Sequence, residues 1–161
     1  MEDENRIYVK DVLGTNLEDN FLDFDITEVQ LVLTELQNQD AIDLPHAEML
    51  AQKCLRCADL LSELLGKLTK TLSNYESRIN SAKNQASLDY EFPGGKTTAE
   101  MRKWAGEVDP TVKSLQEQLA YAKGSKVFLE KKFDIIIKSH HHYKDLSSGL
   151  RKTILGYREG Y

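Results

Sequence analysis

The sequence from residue 110 to residue 155 reads PTVKSLQEQLAYAKGSKVFLEKKFDIIIKSHHHYKDLSSGLRKTIL, and its apolar residues recur at alternating steps of four and three. The positions that follow this period are 115, 119, 122, 126, 129, 133, 136, 140, 143, 147, 150 and 154. Nine of their occupants are apolar or aromatic, and Lys126, His140 and Ser147 are the weak points. Because such a repeat is typical of a coiled coil, it predicts a long helix from about Pro110 to Leu155.

A second stretch, from about Pro45 to Leu88, has a similar period. Its apolar and small residues on this period are Leu50, Cys54, Cys57, Leu61, Leu64, Leu68, Leu72, Tyr75, Ile79, Ala82 and Ala86. The period slips once, between Leu68 and Leu72, and a slip of this kind locally unwinds a coiled coil. A plain amphipathic bundle helix is the alternative, but the length and regularity favour a coiled-coil-like seam.

Residues 89–96 (DYEFPGGK) separate the two stretches, because a proline followed by two glycines cannot continue a helix. After this break, Thr97 and Glu100 have the spacing of a capping box, which predicts a short helix. Asp109 and Pro110 then suit the cap and the first position of the second long helix. Two long helices joined by a compact turn should form an antiparallel hairpin, since each must bury its apolar stripe.

A single hairpin leaves part of both stripes uncovered, so self-association is expected. The predicted fold class is therefore all-α, with two long helices in an antiparallel coiled-coil-like hairpin plus short helices, assembled as a homo-oligomer. The candidate residues for oligomerisation lie on the second seam. They are Leu119, Leu129, Phe133, Ile136, Leu150 and Ile154.

The net charge of −5 is unevenly distributed along the chain. Residues 1–45 hold 12 acidic and 2 basic residues, and residues 46–161 hold 14 acidic and 19 basic residues. We interpret 1–45 as an acidic N-terminal arm with a short helix capped by Thr27, and 46–161 as the helical hairpin domain. Apolar residues lie among the acidic ones before residue 25. This pattern favours an arm that docks on a protein surface over an inert tail. A domain with such an excess of basic residues often binds nucleic acid.

The second long helix is the most basic part of the chain. Between Lys123 and Arg158 there are nine Lys or Arg residues and three acidic ones, with Tyr143 and Tyr157 among them. A positive track with interleaved aromatic rings is how proteins hold single-stranded nucleic acid without reading its sequence. A solvated helix face is an equally good interpretation. Both require Lys131, Lys132 and Lys138 to lie off the seam, as they do.

Residue types that carry catalysis or bind metals do not form a convincing site. Cys54 and Cys57 stand in an apolar run without a second pair or a nearby histidine, so they are interpreted as buried core thiols. His140, His141 and His142 are consecutive, and neighbours on a helix point about 100° apart, so they cannot chelate one metal well. We expect His140 to be partly buried and the other two exposed. No metal, no cofactor and no enzymatic activity are expected.

The sequence also bears on location. No apolar run approaches the roughly 20 residues needed to span a bilayer. The N-terminal residues MEDENRIYVK lack the basic and apolar regions of a secretion signal. A cytoplasmic protein with no membrane partner is therefore expected.

Three short motifs follow one another in the C-terminal half. They are LDY at 88–90 with a glycine at 94, EMRK at 100–103, and FDIIIKS at 133–139 followed by Tyr143, Lys144 and Leu146. In order and spacing they resemble the UvsY-type recombination mediators of tailed phages. The resemblance covers roughly the C-terminal half, and residues 1–45 have no counterpart in it.

The resemblance implies a helical protein that forms a ring-like homo-oligomer and binds single-stranded DNA. It also implies that the protein helps a RecA-like recombinase to displace a single-strand-binding protein, in the host cell cytoplasm if the chain is phage-encoded. The family commonly has basic residues just before LDY. Here those places hold Gln85 and Ser87, with Arg78 and Lys83 one or two turns earlier.

The full set of candidate DNA contacts combines this region with the basic helix. It consists of Arg78, Lys83, Lys96, Lys123, Lys131, Lys132, Lys138, Lys144, Arg151 and Lys152. Two alternatives do without DNA binding. One is a protein-binding helical adaptor or inhibitor that works through the acidic arm, and the other is a phage structural coiled-coil protein.

Overall fold

The computed structural model describes residues 6–13, 24–38 and 43–158. Within these ranges the chain forms five α-helices, which hold 87% of the described residues and leave no strand among them. The helices are α1 (Val9–Leu13), α2 (Thr27–Gln37), α3 (Leu44–Asp89), α4 (Ala99–Val108) and α5 (Pro110–Arg158). The all-α prediction is confirmed for this part of the chain, and the oligomeric state stays a prediction.

The two long helices were predicted at nearly their observed bounds. α3 begins one residue before Pro45 and ends one residue after Leu88, and α5 begins at Pro110 and continues to Arg158. Asp43 accepts a hydrogen bond from the backbone N–H of His46 at 2.9 Å, which satisfies one of the free donors at the start of α3. The long helices pack together, as expected from two apolar stripes that must leave water.

The contacts within the chain divide it into two compact units. Unit 1 contains the described residues up to Leu65 and from Val127 onward, and unit 2 contains Gly66–Lys126. Each unit therefore contains one section of α3 and one section of α5. The predicted boundary after residue 45 stays a prediction.

In unit 1 the sections of α3 and α5 run antiparallel. The Nδ1–H of His140 donates to the backbone carbonyl of Ala51 at 2.9 Å, and Arg151 forms an ion pair with Glu48. The earlier residue on α3 thus pairs with the later residue on α5, which defines the antiparallel direction. Unit 2 has its own contact between the two helices, where Lys123 Nζ lies 3.3 Å from Glu76 Oε1.

The described residues of the acidic N-terminal region pack within unit 1. Val9 donates its N–H to the carbonyl of Phe24 at 3.0 Å, and Ile26 donates to the carbonyl of Ile7 at 2.9 Å. Val9 and Ile26 are buried. For these residues, the surface on which the N-terminal arm docks is therefore part of the same chain. Residues 14–23, on which much of that expectation rests, lie outside the described part.

α2 attaches to α3 through complementary charges and apolar packing. Lys53 Nζ lies 2.7 Å from Glu35 Oε2, and Arg56 Nε lies 2.8 Å from Glu28 Oε1. Val29 is buried, together with Val32 and Leu33. Two carboxylates of the acidic region therefore neutralise two basic residues of α3, although such exposed pairs each add only about 0.2–1 kcal/mol.

Two of the three predicted helix caps are wrong. Thr27 does not cap α2, because it is already the first helical residue and its N–H donates to Asp25 Oδ1 at 2.9 Å. The capping box of Thr97 and Glu100 is also wrong. The neighbouring Thr98 caps α4 by accepting from Met101 N–H at 3.2 Å, while Thr97 accepts from Phe92 N–H at 3.1 Å.

The predicted cap at Asp109 is confirmed. Its Oδ1 accepts hydrogen bonds from the N–H groups of Thr111 at 2.9 Å and Val112 at 3.1 Å. Pro110 occupies the first helical position as predicted, where the missing proline N–H costs nothing.

The seam of α3 is buried as predicted from Leu50 to Ile79, with Ala82 and Ala86 half-buried. On α5 only one half of the seam is deeply buried. The buried residues of that half are spaced seven positions apart. They are Leu115, Ala122, Leu129, Ile136 and Tyr143. The other series, which includes Leu119 and Phe133, is half-buried, and Ile154 is exposed. The packed line of α5 is therefore centred on the first series, with a half-buried row on each side of it.

A close approach between α4 and α3 is made at Gly106 in unit 2. A Cβ atom at this glycine would lie 2.6 Å from Ser87 Oγ and 2.7 Å from the carbonyl oxygen of Lys83. The serine side chain can rotate away, but the carbonyl belongs to the backbone of α3 and cannot. Glycine at this position is thus what allows α4 to lie so near α3.

Replacing Gly106 with Ala should therefore destabilise the protein. Steric overlap in a packed contact costs about 1–3 kcal/mol, and overlap with a backbone oxygen belongs at the upper end of this range. This cost exceeds the roughly 1 kcal/mol that alanine gains over glycine within a helix. Urea unfolding measures the difference. Gly124→Ala is the matched control, since a Cβ there would have no atom within 4 Å apart from its chain neighbours and its own helix backbone, and it should stabilise. Equal stabilisation by both variants would contradict the close packing of α4.

Candidate nucleic-acid interface

The candidate DNA contacts on α5 fall into two groups in unit 1. Lys131, Lys138, Lys144 and Lys152 are exposed, and no hydrogen bond or ion pair joins their side chains to other described residues. Lys132 is half-buried with its Nζ 5.3 Å from the centroid of the Phe128 ring. Arg151 is held by Glu48. The first group is therefore the one available to a phosphate backbone.

Three of these exposed lysines share one face of the helix. Lys138 lies 7 residues after Lys131, and Lys152 lies 14 residues after Lys138. The helical period therefore places both within roughly 60° of Lys131, along a row about 30 Å long at 1.5 Å per residue. Lys144 lies on a different face, about 140° around the helix from Lys131. We call Lys131, Lys138 and Lys152 the lysine row. Its length would span several nucleotides of an extended single strand.

Two carboxylates weaken the positive potential of the lysine row. Asp134 and Asp145 are exposed, and helical periodicity places both within about 60° of Lys131. His141 and His142 are exposed near the same face and add positive charge when protonated. The face is thus positive, but less so than the count of lysines alone suggests.

The remaining candidate contacts belong to unit 2. Lys123 is paired with Glu76, and the guanidinium carbon of Arg78 lies 5.4 Å from the centroid of the Tyr75 ring. Lys83 is half-buried and Lys96 is exposed. Of this group, Lys96 has the most accessible charge.

Tyr143, one of the two aromatic residues of the predicted track, does not lie on its surface. Tyr143 is buried, with 6% of its surface exposed, and burial raises the pKa of its phenol. It belongs to the packed series of α5 because it lies seven residues after Ile136. The stacking role suggested for Tyr143 is therefore wrong, and the side chain of Tyr157 lies outside the described part of the chain.

The histidines lie as expected from the sequence. His140 is half-buried and hydrogen-bonded to the backbone of α3, whereas His141 and His142 are exposed. Within the described ranges, no group of three or more His, Cys, Asp and Glu side chains is arranged to hold a metal ion. His140 thus contributes to packing in unit 1.

The two thiols are core residues, which confirms their interpretation. Cys54 and Cys57 are both fully buried and free. Burial, reinforced by the nearby charge of Glu28, raises the pKa of the Cys57 thiol from an ordinary 9.0 to about 11. Burial likewise raises the pKa of Cys54.

We therefore expect neither thiol to react with a thiol reagent in the native protein at about pH 8, since the thiolate is the nucleophile. Both should react after unfolding in urea. Because the folded thiol of Cys57 has the higher pKa, its contribution to stability is complete below about pH 9 and is lost as the pH rises toward 11. Stoichiometric labelling of the native protein would contradict the burial of these residues.

The residues proposed for oligomerisation differ in accessibility. Leu129 and Ile136 are fully buried within unit 1, so they stabilise the fold of a single chain. Phe133 and Leu150 are half-buried in the same unit, Ile154 is 46% exposed, and Leu119 is half-buried in unit 2. The exposed and half-buried members keep surface that a second copy could cover, and their role in self-association stays a prediction.

Comparison with known proteins gives no match to a family model, a curated protein or a solved structure. Among the helices that the structure describes, none is both long and apolar enough to cross a membrane. The functional interpretation therefore rests on the residues and their placement.

Proposed function

We propose that this protein binds single-stranded DNA through the lysine row of α5. The observation that carries the proposal is the alignment of Lys131, Lys138 and Lys152 on one exposed helix face, without partners among the described residues. Ammonium groups spaced along a helix can follow a phosphate backbone, and neutralising phosphates releases condensed counterions. Backbone contacts carry no base information, so poly-pyrimidine and mixed sequences should bind alike.

We further propose that the protein is a recombination mediator, which loads a RecA-like recombinase onto DNA covered by a single-strand-binding protein. This part is supported by the ordered resemblance to UvsY-type mediators. Its motifs at 88–103 lie at the end of α3 and in α4, and its motif at 133–139 lies on α5. A homo-oligomer acting in the host cell cytoplasm is part of the same proposal.

Mediator activity is tested with a RecA-like recombinase whose ATPase requires single-stranded DNA. Coating the DNA with a single-strand-binding protein suppresses this ATPase, and the proposed mediator should restore it. A variant with all three row lysines changed to Ala should restore less. If the wild-type protein binds DNA but restores nothing, the recombination role is lost and DNA binding remains.

A protein-binding adaptor is the second candidate. Unit 2 favours it, because Leu88 is 69% exposed and Trp104 is 57% exposed. Large exposed apolar side chains are frequent at sites of protein interaction. DNA binding by the wild-type protein separates the two candidates.

A further inference from the structure

Unit 2 contains a groove that none of the proposed DNA contacts lines. The groove has a volume of about 400 Å³ and lies where the end of α3, α4 and the start of α5 meet. Its apolar wall includes Ala86, Val108 and Pro110. Clefts with apolar walls and a few polar groups are the usual form of a binding site.

Every side chain of the lining that is charged at neutral pH is acidic. The lining contains Asp89 and Asp109 and no Lys, Arg or His. Asp89 accepts hydrogen bonds from the neutral side-chain amide of Gln85 at 2.8 and 2.9 Å, and Asp109 uses Oδ1 to cap α5. No cation pairs with either carboxylate within the described residues. The two carboxylates of the groove therefore accept hydrogen bonds from neutral groups, but no cation neutralises their charge.

Two aromatic rings accompany these carboxylates. Trp104 is 57% exposed and Tyr90 is half-buried, and both line the groove. The faces of indole and phenol rings attract cations. Carboxylates beside aromatic rings are thus complementary to a side chain that combines an apolar stem with a positive end, which describes Arg and Lys.

We propose that this groove binds an Arg or Lys side chain presented by a basic segment of a partner protein. The stem packs on the apolar wall and the rings, and the charged end meets Asp89 and Asp109. The carboxylates disfavour a DNA strand here, since they repel phosphate. The groove shares no residue with the lysine row, so the two can be tested by separate substitutions.

Trp104 gives a direct readout, because it is the only tryptophan in the chain. The probe is a short synthetic amphipathic peptide with arginines along one edge, titrated against the full chain while tryptophan fluorescence is recorded. A matched peptide with citrulline in place of each arginine keeps the shape and removes the charge. We expect a saturable change in fluorescence with the arginine peptide. The citrulline peptide should bind with an affinity at least about tenfold lower.

The variant Asp89→Asn/Asp109→Asn should weaken binding of the arginine peptide about tenfold. Asn caps helices as well as Asp does, so α5 should still form, and circular dichroism checks this. Glu91→Gln/Glu107→Gln is the control, because it removes the same charge from exposed residues outside the lining. It should bind like the wild type.

Four results would overturn the proposal, and the first three come from the peptide titrations. They are the absence of a saturable fluorescence change, equal affinity for the two peptides, and equal weakening by the two double variants. A fourth is displacement of the arginine peptide by oligothymidine together with tighter oligothymidine binding by the Asp89→Asn/Asp109→Asn variant. That result would assign the rings to DNA bases instead.

Discussion

Ile136→Asp should destabilise the protein by several kcal/mol, the largest stability effect that we expect from a single substitution. Ile136 is fully buried and lies in the packed series of α5 within unit 1. The substitution removes a large apolar side chain, which costs about 2–5 kcal/mol for truncation alone. It also places a carboxylate where water cannot reach, which adds to the cost unless the group becomes protonated.

Ile135→Asp is the matched control for this experiment. It introduces the same residue at the next position, where the isoleucine is 47% exposed. The melting temperature should fall far more for Ile136→Asp than for Ile135→Asp, and circular dichroism measures both. Similar melting temperatures for the two variants would mean that α5 packs through a different face.

Changing Lys131, Lys138 and Lys152 to Ala should cause the largest loss of DNA affinity. If each lysine contacts one phosphate, the slope of log affinity against log salt concentration should shrink by about two, at roughly 0.7 per contact for single strands. The loss should be similar for poly-pyrimidine and mixed sequences. Helix content should stay the same, because the residues are exposed and alanine favours helix.

Two further variants sharpen this test. Lys70, Lys103 and Lys113 are exposed lysines outside the candidate site, and changing all three to Ala removes the same charge and should leave the salt slope unchanged. Asp134→Asn/Asp145→Asn should act in the opposite direction and raise affinity at low salt, because it removes two carboxylates beside the lysine row. Equal losses for both lysine variants would show that only net charge matters.

The sequence was most informative where local rules decide the structure. The seven-residue period located both long helices to within a few residues, because burial of one stripe requires that period. Asp109 followed by Pro110 marked the start of α5 correctly. The other two caps were each missed by one residue. At Thr97 and Thr98 two adjacent threonines have the same capping chemistry, and only the path of the preceding turn decides between them.

The placement of side chains around α5 was less predictable. The period gives two interleaved rows, and which of them is buried depends on where α3 lies. That is why Tyr143 is packed in the core while Phe133 is half-buried. The pairing of Arg151 with Glu48 joins residues 103 positions apart, and no local pattern in the sequence indicates it.

The groove of unit 2 was not predicted at all. Its walls come from parts of the chain that are separated in sequence, and α4, which supplies one of them, approaches α3 closely at Gly106. A glycine within the last turn of the short helix was the available signal, since glycine inside a helix is unfavourable unless packing requires it. The exposed Trp104 in the same helix was a second signal that the sequence alone could not separate from an ordinary core tryptophan.

Binding of single-stranded DNA through ion pairs with phosphates makes the affinity depend on salt concentration. The most direct test is the equilibrium affinity of the wild-type protein for a labelled oligothymidine, measured by fluorescence anisotropy over a series of salt concentrations. With three contacts from the lysine row, we expect binding at low salt and a straight log–log plot with a slope of about −2 or steeper. Absence of binding at low salt, or an affinity that does not change with salt, would contradict it.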